Sequence, residues 1–322
     1  MIQKRHIDPS SPDKISVKDK LILALARSVL WVSAKLPLET ARQLGRWCGR
    51  CYYATGSRIR LITERNIELA YPELSSTDQR AMVRGCLAET GALIAEMGHL
   101  WAKPWREVSK LVVDVEGADV LAAALATGRG VIVFGPHLGN WEMLGLHLAT
   151  QGKLVALFKP PKSPAFGSLV HRARQNSGGS LVPTTPRGLA ALMKNIKGGG
   201  VSGILPDQVP DELNAGMNVP FMGVECFTAS LACNLTNRSG AIPLMGAAMR
   251  VPGGFKLRYI APVEDLHSDD LATALTAMNS EVERLLRGWD TQYQWSYKRY
   301  RTRPQGGVRH YQNLKAPRAR TE

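Results

Sequence analysis

The sequence predicts an α/β protein, in which a mostly parallel sheet is flanked by helices and follows a helical N-terminal region with a membrane-associating segment. Two observations support this prediction. Only helical periodicity is visible from about residue 21 to 105. From about residue 111, short apolar runs alternate with helical segments at a spacing typical of parallel strands joined by helices. Such sheets bind ligands at the carboxyl ends of their strands, so functional residues are expected at that edge.

The N-terminal third is predicted to be helical throughout. Residues 1–20 form a polar leader, and residues 21–105 form the helical region. Pro72 ends one helix of this region, and Ser75 or Ser76 caps the next. The predicted helices lie near 21–36, 39–55, 57–70 and 76–101.

The segment 21–38 is the most apolar early stretch and the predicted membrane anchor. A spanning helix needs ~20 mostly apolar residues, and Arg27 and Lys35 interrupt this one. At helical spacing the two cations lie close to one face, with Trp31 elsewhere on the helix. The pattern favours an interfacial helix whose cations meet lipid head groups while Trp31 enters the acyl boundary. A spanning helix and a helix packed on the protein's own core are the alternatives.

Residues 106–305 are predicted to form the α/β domain, and residues 306–322 a basic, flexible tail without apolar periodicity. The predicted strands are 130–134, 153–158, 180–183, 200–205, 242–249 and 255–260. The predicted helices between them lie near 117–127, 140–150, 164–177, 187–196, 228–239 and 268–288.

Composition narrows the range of partners. Lys and Arg number 41 against 27 Asp and Glu, a net charge of +14, which favours an anionic partner such as a membrane surface or an acidic protein. Nucleic acid is not favoured, because the charge is dispersed, aromatic residues are few and no recognition motif occurs. The five cysteines are an odd number, and Cys48 and Cys51 are interpreted as ordinary helix cysteines rather than a metal or redox site.

The strongest chemical feature follows the strand 130–134, where "FGPHLGNWEML" contains His137 and Glu142. On one continuous helix a five-residue offset would rotate the two side chains apart by ~140°. If His137 lies in a turn and Asn140 near the helix cap, Glu142 falls in the first turn and its carboxylate can fold back to the imidazole. A carboxylate on one ring nitrogen raises the basicity of the other, which could then take a proton from an attacking hydroxyl.

Simpler interpretations of this pair stay open. Acidic residues are common in first helical turns because of the helix dipole, and a histidine in a turn is often only hydrogen-bonded. A zinc site is not expected, because His137, Glu142 and His147 lack the spacing that puts two histidines on one helical face. We therefore predict no metal and no cofactor.

Three motifs together resemble a known family. "PHLGNWE" (136–142) resembles the His-x4-acid signature of glycerolipid-type acyltransferases, and especially that of the lipid A late acyltransferases, the lauroyl and myristoyl transferases of Gram-negative bacteria. "GILPDQVPDELNAGMNVPFMG" (203–223) and "QYQWSYKRYRTRP" (292–304) resemble two further segments of that family. The resemblance covers about 20–305 and implies a glycerol-3-phosphate-acyltransferase-like sheet.

The resemblance also implies residue roles. His137 would be the general base and Glu142 its orienting acid, with the acceptor hydroxyl attacking the acyl carrier protein thioester directly. Asn140 would shape the site or stabilise the oxyanion. Asp207 and Gln208 would line the acceptor pocket, although Asp207 could equally be a structural cap of the following loop.

Basic residues near the predicted active edge would bind the phosphate of a glycolipid. The candidates are Lys159, Arg174 and Arg187. For Arg174 and its neighbour Arg172, a solvated helix face is the competing interpretation. The sequence departs from the family pattern at Lys159, at Met222 and at Tyr297, where relatives frequently have Tyr-Arg-Pro, a second aromatic residue and a histidine, respectively.

The expected function is acyl transfer to a hydroxyl of a glycolipid, a lipid A precursor above all, at the cytoplasmic face of the inner membrane. The expected partners are acyl carrier protein, the glycolipid acceptor and the membrane surface. One alternative keeps the chemistry and changes the acceptor to a phosphatidylinositol mannoside-like or ornithine-type lipid, with acyl-CoA as a possible donor. The other is a non-catalytic basic lipid-binding protein.

Overall fold

The computed structural model describes residues 17–161, 163–302, 306–312 and 314. Most of the predicted leader, residues 1–16, and most of the predicted tail lie outside the described residues. The remaining chain forms a helical layer followed by an α/β body, as the periodicity predicts.

The helical layer contains five helices. They are α1 (Val17–Lys35), α2 (Leu38–Ala54), α3 (Arg58–Ala70), α4 (Ser76–Ala102) and the short α5 (Trp105–Val108). Ser57 and Ser75 cap α3 and α4 by accepting hydrogen bonds from the backbone N–H of Arg60 and Asp78. The predicted cap at Ser75 is therefore confirmed, with α4 beginning at the next residue.

Helices α2 and α4 approach each other very closely. A Cβ atom on Gly45 would collide with the backbone of Gly91, and one on Gly49 would collide with the backbone of Leu87. Glycine is required at these points because the two backbones themselves are in contact. The helical layer is thus tightly joined along its length.

The main sheet has five strands in the order β1-β9-β8-β2-β5. Neighbouring strands are parallel except for β8 and β9, which form an antiparallel hairpin. These strands are β1 (Val112–Glu116), β2 (Val131–Phe134), β5 (Val201–Ile204), β8 (Ile242–Val251) and β9 (Gly254–Ile260). A parallel pair, β3 (Val155–Phe158) and β4 (Ser180–Pro183), lies beside β5.

Helices cover both faces of the sheet. They are α6 (Ala118–Ala126), α7 (Trp141–Gln151), α8 (Pro164–Arg174), α9 (Pro186–Lys197), α10 (Leu231–Ser239) and α11 (Leu271–Leu286). In β2, Val131 and Val133 pack into one buried apolar cluster while Ile132 and Phe134 pack into the other. A strand buried on both faces reads as a continuous apolar run, which is why "VIVF" predicts a central strand.

Two parts of the fold differ from the sequence-based prediction. The strand β1 was not predicted, because its burial pattern at the sheet edge is irregular: Val113 and Asp114 are both exposed, so neither face is consistently apolar. Residues 216–229 form an antiparallel hairpin of β6 (Gly216–Phe221) and β7 (Val224–Ala229), where only a turn was expected. Pro220 in the first strand obscures the strand signal.

Helix α1 buries one side and exposes the other. Ser33 packs against Gly98 of α4, whereas large apolar side chains on the opposite side are exposed: Leu21, Leu25, Val29, Trp31 and Val32. Within the described residues, no helix has both the length and the apolar character that crossing a membrane requires. Membrane association of α1 stays a prediction.

Candidate active site

The turn between β2 and α7 places His137 at the carboxyl edge of the sheet. Gly139 adopts a left-handed conformation with φ 63°, and a Cβ atom there would strike the carbonyl oxygen of Ala248. Asn140 then caps α7, its Oδ1 accepting a hydrogen bond from the backbone N–H of Met143 at 3.1 Å. The prediction that His137 lies in a turn and Asn140 at the cap is confirmed.

Asp207 is the carboxylate that contacts His137. It follows β5 and is almost completely buried. One carboxylate oxygen lies 2.8 Å from His137 Nδ1, and the other accepts a hydrogen bond from the His137 backbone N–H at 2.8 Å. Burial would raise the pKa of Asp207, but the charge and hydrogen bonds of His137 outweigh burial and lower it, with a smaller contribution from Arg299.

The expected contact between Glu142 and His137 is not found in the described structure. Glu142 instead forms an ion pair with Arg174 at the end of α8. Arg174 Nε donates to Glu142 Oε2 at 2.9 Å, and Arg174 Nη2 donates to Oε1 at 2.5 Å. The predicted pairing is wrong because Asp207 already occupies the Nδ1 side of the imidazole and the guanidinium fork holds Glu142 elsewhere.

The second imidazole nitrogen meets an amide. Gln208 Nε2 lies 3.1 Å from His137 Nε2 and donates to Gln294 Oε1 at 3.0 Å. A carboxylate that accepts at Nδ1 and an amide that donates toward Nε2 together select the neutral tautomer with its lone pair on Nε2. We call His137, Asp207, Gln208 and Gln294 the His137 cluster. Its histidine is arranged as a base.

An apolar cavity of about 300 Å³ lies beneath α7, and we call it the α7 cavity. Its lining comes from α7 and from strands β2 to β5, and includes Leu144, Leu148, Leu154, Ala156, Leu181 and Gly203. Glu142 and Arg174 also line it. Trp141 joins the cavity to the His137 cluster, because it lines the cavity while its ring packs edge-on against the imidazole at 4.8 Å. The imidazole of His137 therefore stands beside a space suited to a hydrocarbon chain.

Comparison with known proteins identifies the family. A family model described as bacterial lipid A biosynthesis acyltransferase matches residues 13–302, nearly the whole described chain. The chain belongs to this family. The resemblance found in the three sequence motifs is confirmed, and the protein is an acyltransferase.

Individual relatives match over most of their length. The lipid A biosynthesis lauroyltransferase of Escherichia coli strain K12 is 27% identical over 285 residues, 88% of this chain and 92% of the relative. The palmitoleoyltransferase of the same strain is 27% identical over 281 residues, 86% of this chain and 90% of the relative. A lipid A biosynthesis acyltransferase of Haemophilus influenzae is 24% identical over 288 residues, 88% of this chain and 89% of the relative. The named acyl chains differ among these relatives.

In this acyltransferase, Asn140 is a supporting residue. It is fully buried, with Oδ1 bound to the Met143 N–H and Nδ2 donating to Glu96 at 2.8 Å. The amide oxygen and one of the two amide N–H groups are thus bound, so Asn140 shapes the turn. The alternative oxyanion role stays a prediction.

The two other predicted cations lie apart from the His137 cluster. The side chain of Lys159 is 72% exposed, and its ammonium group pairs with Asp211 at 2.7 Å. Arg187 is exposed in the first turn of α9, which Thr185 caps. Arg174 is the predicted cation that the structure brings to the α7 cavity.

The motif at residues 292–304 supplies site residues to which no role was assigned from the sequence. Gln294 donates its backbone N–H to the carbonyl oxygen of His137 at 3.0 Å, and its side chain binds Gln208. Tyr293 pairs with Leu138 across a short bridge, and burial first, then Asp207, raises the pKa of its hydroxyl. The available signal was the motif itself, which the resemblance to the family singled out.

Tyr297, one of the predicted departures from the family pattern, contacts the loop that follows β5. Its hydroxyl accepts from the backbone N–H of Val209 at 3.0 Å, two residues beyond Asp207. This contact fixes the loop that carries Asp207 and Gln208. His147, considered for a zinc site, bonds instead to the Tyr259 hydroxyl at 2.8 Å.

Proposed function

We propose that the protein transfers a fatty acyl chain from an acyl carrier protein thioester to a hydroxyl group of a lipid A precursor. The observation that carries the proposal is the position of Trp141, which lines the α7 cavity and packs against the imidazole of His137. A base and an acyl-sized cavity are thereby adjacent. Membership of the lipid A biosynthesis acyltransferase family supports the acceptor class.

The reaction proceeds by direct attack. His137 Nε2 takes the proton of the acceptor hydroxyl as its oxygen forms a bond with the thioester carbonyl carbon. Asp207 holds the Nδ1 proton and stabilises the imidazolium that forms. The carbon–sulfur bond then breaks, and the imidazolium returns the proton to the departing thiolate. Gln208 Nε2 lies 3.1 Å from His137 Nε2, so the acceptor hydroxyl takes the place of this amide during the reaction.

The donor chain lies in the α7 cavity with its thioester at the polar end. Glu142 there holds Arg174, whose pKa burial would lower but the hydrogen bonds and charge of Glu142 raise. The guanidinium thus remains charged beside the reacting carbonyl, where it stabilises the oxyanion of the tetrahedral intermediate. In this proposal Glu142 acts through Arg174 rather than through His137.

The acceptor approaches from the membrane side. A cleft of about 500 Å³ lies between α1, the end of α4 and α8, and its lining includes Arg27, Lys35, Lys103, Trp31 and Trp101. Three cations and two tryptophans suit a phosphorylated lipid head group. The exposed apolar side chains of α1 enter the bilayer surface, and the net charge of +14 favours its anionic leaflet and an acidic carrier protein.

Purified protein, an acyl carrier protein thioester and a lipid A precursor test the proposal. Mass spectrometry should show a lipid heavier by one acyl chain, and His137→Ala should form this product about 1,000-fold more slowly. His267→Ala, which removes an exposed histidine outside the His137 cluster, is the matched control and should react normally. Binding of lipid without transfer from any donor would contradict the proposal and favour a binding protein.

The lipids of cells lacking the protein identify the acceptor. Loss of one acyl chain from lipid A agrees with the proposal. A missing acyl chain on another membrane lipid would overturn the proposed acceptor while leaving the acyl-transfer chemistry intact. Replacing the carrier protein thioester by acyl-CoA in the purified assay tests the donor separately.

A further inference from the structure

A second buried polar cluster lies behind the catalytic turn. Its centre is Glu96 of α4, whose side chain is completely buried. Glu96 Oε1 accepts from Arg42 Nε at 2.7 Å. Glu96 Oε2 accepts from Arg250 Nε at 2.9 Å and from Asn140 Nδ2 at 2.8 Å. We call these four residues the Glu96 cluster; three of them come from different elements, and Asn140 belongs to the turn itself.

Two members of the cluster hold the backbone of the turn. Asn140 caps α7 through the Met143 N–H, and Glu96 fixes which end of its amide faces that N–H. Arg250 Nη2 donates to the carbonyl oxygen of Gly139 at 2.8 Å. Glu96 therefore reaches Asn140, the residue before α7, directly, and it reaches Gly139, two residues after His137, through Arg250.

The third member ties the turn to the helical layer. Arg42 of α2 donates to the carbonyl oxygens of Val251 at 2.8 Å and Gly254 at 2.7 Å, at the end of the β8–β9 hairpin. The same hairpin supplies Arg250. Glu96 and Arg42 thus place the helical layer, the hairpin and the turn in one connected set of hydrogen bonds.

A gain in stability alone does not explain why buried charged residues occupy this position. Removing a carboxylate and two guanidinium groups from water costs much of what their attraction returns, and apolar packing of similar volume often serves as well. Both oxygens of the Glu96 carboxylate accept hydrogen bonds from donors of fixed direction. The cluster therefore fixes the geometry of the groups around it rather than adding much stability. Because the cluster lies directly behind His137, the geometry that it defines is that of the turn carrying His137.

We propose that Glu96 is a positioning residue for acyl transfer. It acts through Asn140 and Arg250 to hold the turn so that His137 and the α7 cavity keep their mutual geometry. The N-terminal helical layer is thereby part of the catalytic apparatus as well as the predicted membrane-facing part. This inference rests on the proposed function, because its main readout is the transfer reaction.

The test is Glu96→Gln. A glutamine presents an NH₂ group to at least one of the three donors whichever way its amide is turned, so the turn loses its fixed geometry. We expect kcat to fall about 100-fold, the effect of a misplacement near 1 Å, with KM changed less than about twofold. The shape of the pH profile should stay the same, since the His137–Asp207 pair is intact.

Glu281→Gln is the matched control. Glu281 of α11 is equally buried and pairs with Arg284, away from the turn. It should keep wild-type kcat at a temperature where both variants are folded. Should Glu96→Gln fail to fold, Arg250→Lys replaces it, since a lysine keeps the charge but cannot bind Glu96 and Gly139 in the same fork geometry.

The outcomes separate this inference from the proposed function. Wild-type kcat in folded Glu96→Gln or Arg250→Lys would overturn the positioning role while transfer by the unaltered protein still supports the function. Equal losses in Glu96→Gln and Glu281→Gln would show a general effect of destabilisation and also overturn it. No transfer by the unaltered protein would refute the proposed function itself.

Discussion

The His137 cluster and the α7 cavity share Trp141 but are built in opposite ways. The cluster joins side chains that are distant in sequence: His137 and Asp207 are 70 residues apart, and Gln208 and Gln294 are 86 apart. The cavity is lined mainly by apolar residues at regular positions of α7 and of neighbouring strands. The His137 cluster fixes the position and direction of a proton, whereas the α7 cavity provides a space of limited size.

This difference predicts how substitutions in each region should affect the reaction. Hydrogen bonds of fixed direction are lost as a whole when one partner is removed, so changes in the cluster should act on the rate for every donor. Apolar walls tolerate changes in size, so changes in the cavity should act on the choice between donors. The predictions below, in order of decreasing effect, test this separation.

His137→Ala should have the largest effect. Loss of the base should reduce transfer about 1,000-fold for short and long acyl donors alike. Initial rates with a donor series would check this. A loss confined to long donors would contradict the separation, because it would make His137 part of the selecting cavity.

The carboxylates provide the second test. Asp207→Asn should lower kcat at least ~100-fold, because Nδ1 loses its anionic partner. Glu142→Gln and Arg174→Gln should each lower kcat about 100-fold, and the double variant should be no worse than either single one, since each acts through the other. The kcat values of the three single variants and the double variant test both expectations. Normal transfer by Arg174→Gln together with inactive Glu142→Gln would mean that Glu142 acts on His137 directly.

Gly145→Leu should change selectivity with a smaller effect. Gly145 lines the α7 cavity, and a Cβ atom there has no heavy atom within 4 Å apart from its own local helix backbone. The added side chain should fill the cavity and shift the preference between a long and a short donor about 10-fold toward the short one. Competition between two donors measures this shift. Thermal stability should not fall, because leucine favours helix by close to 1 kcal/mol over glycine.

The smallest effect concerns stability against acid. The pKa of Asp207 is lower in the folded chain than its ordinary value of 3.8, so its ionised form stabilises the fold fully above that value. This contribution should disappear as the pH falls through the lower, folded pKa. Unfolding free energies of the wild type and of Asp207→Asn should therefore converge in strong acid. A constant difference down to the lowest accessible pH would contradict a stabilising role of the Asp207 carboxylate beside His137.

The same contrast explains what the sequence could predict. Periodicity identified the strand before His137, the turn and the cap at Asn140, because these depend on neighbouring residues. It paired His137 with Glu142, the nearest acid along the chain, whereas the fold brings Asp207 from β5. The strand β1 was missed because the adjacent residues Val113 and Asp114 are both exposed, so it has neither a continuous nor an alternating apolar pattern. Which distant residues meet depends on the order of the strands in the sheet, and hydrophobic periodicity carries no information about that order.

The contact between α2 and α4 at Gly45 and Gly91 has a mechanical consequence. At Gly45 and Gly91 the two backbones touch with no side chain between them, so the separation of α2 and α4 is fixed there. Arg42 belongs to α2 and Glu96 to α4, so their ion pair depends on this separation. A larger residue at Gly45 or Gly91 would push the helices apart and draw Arg42 away from Glu96, the residue whose contacts hold the turn that carries His137.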